Sequence, residues 1–408
     1  MSTSLCICRG DALDRFFRWV LRSGNDGPAR LPARMALLMV ATWGMQALLA
    51  MVQGNFSGSN ASFLMDYAAI VQYLITLPLL LAANDIAAPF VDAAIGHFIS
   101  SGLLPAHDAA GFRRVTAKVL GTAKSVWMDI FMLCLGLALT WTWILPSLQL
   151  ARVNPDYVSW HIVRTADGPV LSLAVLYAGI VAGPLFLYSH FRWILKVAAW
   201  IVLLVTVSGK NLRINPLHPD RSGGLYFLSR VQTAFGILIF AIGCEVAATV
   251  GYNIFMESGT MFSLDNWIIW VPFVIMAPLA FMLPLLLFSR RLFLVKSRGI
   301  FEMSRFANDF TSAFDKRHLA PEAALFSGEH DTPDSDAIRE YLDGADSDIQ
   351  SLADLQTAFE AVRTMKILPF DFASLGKLTI AAAGPMLPLF VNAVPGMDAL
   401  YEMIKNFL

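Results

Sequence analysis

Long apolar runs are the feature that most constrains how this chain can fold. A helix needs about 20 mostly apolar residues to cross the hydrocarbon core of a bilayer. The runs that reach or approach this length are residues 35–52, 68–83, 126–146, 169–188, 231–251, 267–288 and, with Pro385 and Pro388 inside it, 374–393. Only 15% of the 408 residues are charged, whereas soluble domains carry about a quarter. The sequence therefore predicts an all-α, multi-pass transmembrane helical bundle.

Lysine and arginine predict the orientation of the spans, because cytoplasmic flanks are enriched in these residues. Segment 193–207 is apolar, but it is short and Lys196 interrupts it. If it does not cross, the segments of one side hold six basic residues in 1–34, four in 84–125, six in 189–230 and ten in 289–373. The opposite side then holds three, namely Arg152, Arg164 and Lys405. We therefore predict seven spans, a cytoplasmic N-terminus and an interfacial helix at 193–207, with a re-entrant hairpin at 374–408 as the alternative to the last span.

This topology divides the chain into a cytoplasmic amphipathic N-terminus (1–34), a transmembrane domain (35–288) with cytoplasmic insertions at 84–125 and 189–230, a cytoplasmic helical region with an acidic linker (289–373), and a C-terminal membrane segment (374–408). In residues 11–22 apolar side chains lie between arginines, which is typical of a helix on a membrane surface. The insertion 84–125 is predicted to form two short helices that break at 102–105. Residues 289–318 are predicted to extend the sixth span as a helix, and the helical pattern resumes at 349–365 after a linker around 320–336.

A set of short motifs follows in order through residues 169–408. They are Phe191-Arg192-Trp193, then LRINPLHPDRSGGL at 212–225, then QSLADL at 350–355, and finally Pro385-x-x-Pro388-Leu389. In that order they resemble a family of bacterial multi-pass inner-membrane proteins that carry an HPDRxGGL-type motif. Tyr226 stands where the family often has glycine. The resemblance implies a location in the bacterial inner membrane and transfers no catalytic residue.

The loop of this motif has a functional and a structural interpretation. Its polar and glycine residues are His218, Asp220, Arg221, Ser222, Gly223 and Gly224. In the functional interpretation, His218, Asp220 and Arg221 bind a metal or an anionic ligand at the inner membrane surface. In the structural one, the prolines end the preceding helix, Asp220 or Ser222 caps the fifth span, and the glycines permit a tight turn. The structural interpretation is favoured, because one histidine and one aspartate are too few for a metal site.

Two acidic residues fall within predicted spans. Glu245 lies in the fifth span, and Asp129 lies near the inner end of the third. A charge in the bilayer core is costly and usually faces the bundle interior or a water-filled path. Both residues are therefore candidates for an ion path or a proton site. The alternative for Glu245 is a neutral carboxyl that is hydrogen-bonded to a neighbouring helix or that reaches water at the outer face.

Gly179 and Gly183 form a GxxxG pattern in the fourth span. This pattern permits close helix approach within one chain or between two chains, so a homo-oligomer stays open as a hypothesis. Walker A, GxGxxG, HExxH and GxSxG motifs do not occur in the sequence. The four cysteines form no CxxC, and the seven histidines show no metal-binding spacing, so neither a metal nor a cofactor is predicted. A net charge of −1 gives no reason to expect nucleic-acid binding.

The leading hypothesis is a non-enzymatic bacterial inner-membrane protein, an ion channel or a transporter, in which Glu245 lines the path. Its expected partner is the lipid bilayer. One alternative is a membrane scaffold or signalling component that binds a cytoplasmic protein through residues 289–373. A second alternative is an enzyme that acts on lipid head groups through His218, Asp220 and Arg221.

Overall fold

The computed structural model describes residues 12–20, 30–58, 61–256, 260–316 and 335–393, and helices account for most of them. The helices are α1 (Ala12–Val20), α2 (Leu31–Gln53), α3 (Tyr67–Ser100), α4 (Ala106–Ala123), α5 (Val126–Val153), α6 (Leu173–Ser208), α7 (Phe227–Ala234), α8 (Gly236–Met256), α9 (Leu264–Met282), α10 (Ser289–Phe314), α11 (Ser335–Arg363), α12 (Phe372–Ala383) and α13 (Leu387–Ala393). Short 3₁₀ turns occupy Phe63–Met65, Leu283–Phe288 and Gly384–Met386. Strands β1 (Ile162–Thr165) and β2 (Gly168–Leu171) form an antiparallel hairpin.

Seven stretches of the described helices are long and apolar enough to cross a membrane. They are α2, α3, α5, α6, α7 with α8, α9 with α10, and α12 with the first residues of α13. Their outer faces are apolar as well: in α5, Trp127, Phe131 and Trp143 are exposed. An exposed apolar face of this kind suits contact with lipid rather than with water. The prediction of an all-α membrane protein with seven spans is confirmed.

Helices α3 and α6 extend far beyond the apolar runs that predict the second and fourth spans. Helix α3 continues past Asn84 and Asp85 to Ser100, so the first of the two short helices predicted in 84–125 is the end of the second span. The predicted break follows it, where Gly102 has a φ of 75° and α4 begins after Pro105. Helix α6 includes 193–207, and its 36 residues span about 54 Å, more than the ~30 Å of a hydrocarbon core. The separate interfacial helix is therefore corrected to a continuation of the fourth span.

The hairpin of β1 and β2 was not predicted. Residues 169–171 were assigned to the fourth span, but they belong to β2 and α6 begins at Leu173. Thr165 pairs with Gly168 across a tight turn, and Gly168 has a φ of 120°, which favours a residue without a Cβ. Ala166 and Asp167 form the two-residue turn, and Asp167 followed directly by a glycine is the sequence signal for this hairpin.

Three spans contain a π-helical turn. These turns are Val40–Gly44 in α2, Val71–Thr76 in α3 and Ala178–Ala182 in α6. The turn of α2 contacts the turns of both α3 and α6, and the turn of α3 also contacts α8. Single π-helical turns are rare and frequently mark functional regions of a helix, so these four helices are the first place to look for a site.

The chain divides into two compact units. Unit 1 comprises residues 1–210, 230–284 and 372–408, and unit 2 comprises residues 211–229 and 285–371. An apolar cluster of unit 1 includes Phe17, Leu38, Phe63, Leu77 and Trp160, each nearly or fully buried. Unit 2 contains α10 and α11, which pack against each other.

Helix α1, which was predicted to lie on the membrane surface, is also partly buried in the protein. Phe17 of α1 is buried in the core of unit 1, and the guanidinium of Arg34 lies 5.1 Å from the centre of its ring. Phe16 and Trp19 are exposed. One face of α1 therefore packs against the protein, and its exposed aromatic residues remain available to lipid. The linker predicted around 320–336 falls almost entirely outside the described residues.

Candidate functional site: an ionisable pair between two spans

Glu245 of α8 is paired with His190 of α6. Nε2 of His190 lies 2.9 Å from Oε1 of Glu245, and Nδ1 of the same ring lies 3.0 Å from the carbonyl oxygen of Phe186, one helical turn earlier. The two side chains are 18% and 26% exposed, respectively. The pair thus links two spanning helices and is not sealed by the surrounding protein.

The geometry suits a single proton shared between the two side chains. The Phe186 carbonyl can only accept, so Nδ1 of His190 carries a hydrogen and donates it. Nε2 then has two possible roles. It accepts a hydrogen bond from a neutral Glu245 carboxyl, or, as part of an imidazolium, it donates a hydrogen bond to a Glu245 carboxylate. Both arrangements place one proton between Nε2 and Oε1. The pair as a whole is neutral in either form, and it becomes negative when that proton leaves.

The surroundings of the pair are aromatic and close to the π-helical turns. The ring of Phe186 lies 4.5 Å from that of His190 and 6.0 Å from that of Tyr73, in the π-helical turn of α3. Thr76, in the same turn, donates to the carbonyl oxygen of Ala241 at 3.3 Å, one turn before Glu245. The carboxyl group therefore lies where α3, α6 and α8 meet.

Asp129, the second predicted residue, has a different environment. Its Oδ2 accepts from Nη2 of Arg15 at 2.6 Å, and its Oδ1 accepts from the hydroxyl of Tyr188 at 2.8 Å. Nη1 of Arg192 lies 3.2 Å from Oδ1 and donates to the Ala123 carbonyl at 2.6 Å. Asp129 and Arg192 are almost fully buried. Two guanidinium groups thus neutralise this carboxylate, and the contacts join α1, α5 and α6.

Three further polar contacts, two made by Arg34 and one by Lys196, lie in unit 1. Nη2 of Arg34 lies 2.5 Å from Oδ1 of Asp14, and its Nη1 lies 3.7 Å from Oδ2 of Asp85. Nζ of Lys196 donates to Oδ1 of Asn84 at 2.5 Å. Lys196 is buried, which explains how α6 remains continuous through the position that interrupts its hydropathy.

Helix α6 is the common element of these contacts. His190, Arg192 and Lys196 lie within six residues, about 9 Å along the helix axis. Each contacts a partner on a different helix, namely α8, α5 and α3. Buried polar partners of this kind fix the rotation of a helix in its bundle, because any other rotation leaves them unpaired.

The HPDRSGGL loop belongs to unit 2, and its polar groups bind one another. Asp220 accepts from the backbone N–H groups of Ser222 at 2.8 Å, Gly224 at 3.0 Å and Tyr226 at 3.1 Å. Nδ1 of His218 lies 2.8 Å from the same carboxylate. Burial raises the pKa of Asp220, but these hydrogen bonds outweigh it and hold the pKa below its ordinary value.

Backbone conformation explains the rest of this loop. Arg221, Gly223 and Gly224 all have positive φ, at 54°, 65° and 90°. A Cβ on Gly223 would overlap a methyl group of Ile214 and approach Met365. The hydroxyl of Tyr226 donates to Asp371 at 2.9 Å, and the N–H of Lys366 donates to the Arg221 carbonyl at 2.6 Å. The loop is a joint that connects three segments of unit 2, which supports the structural interpretation.

Gly179 and Gly183 pack against α5 of the same chain. A Cβ on Gly183 would lie 2.5 Å from the Thr140 methyl, and one on Gly179 would lie 3.0 Å from the ring of Trp141. The GxxxG pattern therefore permits close approach of α5 and α6 within the chain.

His190 is the site residue that sequence reasoning missed, since it falls just beyond the apolar run 169–188 that predicts the fourth span. A histidine and a glutamate in different spans do show that an ion pair is possible, but their spacing along the chain does not pair them. Among the described residues, no group of three or more His, Cys, Asp or Glu side chains could hold a metal ion. Cys6 and Cys8 lie outside the part of the chain that the structure describes.

Comparison of the chain with protein-family models, with curated proteins and with solved structures gives no match in any of the three. The functional argument therefore rests on the residues and contacts themselves.

Proposed function

We propose that this membrane protein moves protons or other ions across the bilayer, as a channel or a transporter, and that the His190–Glu245 pair is its proton-carrying site. The observation that carries the proposal is the position of an ionisable pair, partly accessible, between two spanning helices. Intramembrane ionisable residues are rare, and they commonly form proton relays or line ion pathways.

The chemistry of the pair suits this role. A neutral pair is tolerated in an apolar environment, whereas a lone carboxylate there is costly. Loss of the shared proton therefore changes the energy of the α6–α8 contact. Such a change can drive or gate a helix movement, and the π-helical turns in α3 and α6 are where the helical repeat is already interrupted.

Asp129 is not part of the proposed path. Its carboxylate is held by two guanidinium groups and a tyrosine hydroxyl, so the arrangement favours a structural role. The enzyme hypothesis is also left aside, because three backbone N–H groups and His218 already occupy the Asp220 carboxylate.

The location that we propose is the bacterial inner membrane, with the N-terminus in the cytoplasm. The distribution of lysine and arginine between the loops supports this orientation. The HPDRSGGL motif and the short motifs at 191–193, 350–355 and 385–389 resemble those of a family of bacterial inner-membrane proteins. This resemblance supports the bacterial assignment.

The test is flux through purified protein in liposomes. Proton flux is followed with an internal pH dye, and flux of other ions is followed under imposed gradients and membrane potentials. Glu245→Gln is expected to lower flux by about tenfold or more without reducing the folded protein, because an amide cannot release or take up the shared proton. Glu360→Gln is the matched control, since this exposed glutamate pairs only with Arg363 on its own helix among the described residues. Unchanged flux in Glu245→Gln would contradict the role of the pair.

A scaffold or signalling role is the second candidate, and the separate compact unit 2 favours it. This role predicts no flux for any ion tested, tolerance of Glu245→Gln, and loss of function when residues 289–373 are altered. A deletion series in that region, read out as capture of a defined partner, would then replace the flux measurement.

A further inference from the structure

A groove in unit 2 has a composition that the proposed function does not use. It has a volume of about 750 Å³. One side is the segment 211–216, which includes Pro216, and the other is the first half of α10, which contributes Arg291, Leu294, Arg298, Gly299 and Glu302 to the lining. A Cβ on Gly299 would lie 3.2 Å from Pro216, so the glycine lets the segment approach the helix at the base of the groove.

The face of α10 that carries Arg291, Leu294 and Arg298 of the lining alternates guanidinium and apolar side chains, and Phe301 follows on the same face just beyond the lining. Arg291, Leu294, Arg298 and Phe301 are spaced three, four and three residues apart, which places them along one stripe of a helix. Leu294 is 54% exposed and Phe301 is 76% exposed. A stripe of this composition suits a ligand with an anionic part and an apolar part, because a basic amphipathic helix binds the interface of an anionic membrane.

The two arginines of the stripe have no acidic partner among the residues that the structure describes. Among the described residues, no carboxylate lies within 4.0 Å of the guanidinium of Arg291 or Arg298. Lys296, on another face, donates to the Met365 carbonyl at 2.8 Å and is not part of the lining. Glu302 is the acidic residue of the lining, so two positive groups face one negative group.

The position of the stripe in the chain connects it to the membrane. No charged residue occurs between Asp265 and Arg290, and the apolar stretch ends at Phe288. Arg290, Arg291, Lys296 and Arg298 follow within ten residues. A cluster of four or more basic residues directly after a spanning helix is the arrangement that recognises anionic lipid head groups.

We propose that this groove binds the phosphate head group of an anionic phospholipid. Arg291 and Arg298 contact the phosphate, and Leu294 and Phe301 contact the acyl chains. A guanidinium is suited to this, because its planar donors match phosphate oxygens in pairs. The inference stands independently of ion transport, since it uses none of the residues of the His190–Glu245 pair.

The experiment measures binding of a fluorescent short-chain phosphatidylglycerol to the full-length protein in neutral detergent. The double variant Arg291→Gln with Arg298→Gln is expected to bind about 30-fold more weakly, at roughly fivefold for each basic residue near an anionic lipid. The matched control is Arg305→Gln with Lys316→Gln, which removes the same charge from exposed positions outside both the groove lining and the basic cluster at 290–298. The control is expected to bind within about twofold of the wild type, because the groove is intact.

Each other outcome overturns the proposal. An equal loss in both double variants means that charge alone attracts the lipid, without a site. Equal binding of phosphatidylcholine means that the groove recognises only the apolar acyl chains of a lipid. Displacement of the lipid by glycerol phosphate at a similar concentration means that the groove takes soluble phosphate esters. Full retention of binding by Arg291→Gln with Arg298→Gln means that the lipid does not bind through these arginines. The groove would then bind another ligand, such as an acidic protein segment.

Discussion

Glu245 and Asp129 are both carboxylic acids inside spanning helices of unit 1, yet their partners differ. Among the described residues the Glu245 carboxyl has one side-chain partner, the His190 ring, and both side chains are partly accessible. Asp129 has Arg15, Arg192 and Tyr188 around it and is almost fully buried. An imidazole can lose its charge near neutral pH and a guanidinium cannot. The carboxyl that we propose to exchange protons is partly accessible and has an ionisable imidazole partner, whereas the buried carboxyl between two guanidinium groups holds helices together.

Removal of the carboxylate charge at Asp129 is expected to have the largest effect. Asp129→Asn removes the buried carboxylate that lies 3.2 Å from the Arg192 guanidinium, and breaking a buried pair costs about 3–5 kcal/mol. We expect the free energy of unfolding to fall by about that amount in denaturant titrations of the protein in detergent micelles. A loss below about 1 kcal/mol would mean that the cluster is not a structural element of the bundle.

Gly183→Ala tests the helix contact that supports the Asp129 cluster. The added methyl would lie 2.5 Å from Thr140, so α6 must move away from α5 or strain locally. Overpacking of this kind costs about 1–3 kcal/mol, measurable by the same titration. Gly376→Ala is the control, because nothing lies within 4 Å of the added atom there and alanine favours a helix interior by up to about 1 kcal/mol.

Asp220→Asn extends the comparison to a carboxylate outside the spans. An amide cannot reproduce all of the acceptor positions of the carboxylate, so we expect a loss of about 1–2 kcal/mol at neutral pH. The folded-state pKa of Asp220 is depressed below its ordinary value of 3.8, so its contribution is present above that value and is lost as the pH falls through the folded-state pKa. The difference between wild type and variant should therefore stay constant from neutral pH to about 4 and shrink below it. A difference that shrinks already between pH 7 and 5 would contradict this assignment.

Glu245→Gln is expected to have the smallest effect on stability. Glutamine can still donate to a neutral His190 Nε2, so one hydrogen bond is retained and the free energy of unfolding should change by less than about 1 kcal/mol. The effect on flux should be large by contrast. A loss of 3 kcal/mol or more would place Glu245 in the same structural class as Asp129 and remove the distinction between them.

The sequence predicts the features that depend on local composition. Apolar length identified the spans, Gly102 and Pro105 located the break after α3, and the Asp-Gly-Gly pattern around 220–224 indicated a turn. These signals are local because they arise from desolvation of short segments or from backbone conformation. Glu245 could be identified in the same way, as an ionisable residue in an apolar run.

Pairing between helices could not be predicted from one sequence. Lys196 breaks the hydropathy of α6, and only its contact with Asn84 on α3 shows why the helix continues. Likewise, Arg15 carries no signal that it packs against Asp129, 114 residues away. Such contacts depend on which helices are neighbours, and periodicity alone does not determine this.

The most direct test is flux per folded molecule, measured in liposomes for wild type, Glu245→Gln and Asp129→Asn side by side, with the folded fraction determined by size-exclusion chromatography. The account predicts that Glu245→Gln keeps its folded fraction and loses flux, whereas Asp129→Asn loses folded protein while its remaining folded molecules conduct like the wild type. Normal flux in Glu245→Gln together with flux loss in folded Asp129→Asn molecules would contradict it and move the transport site to Asp129.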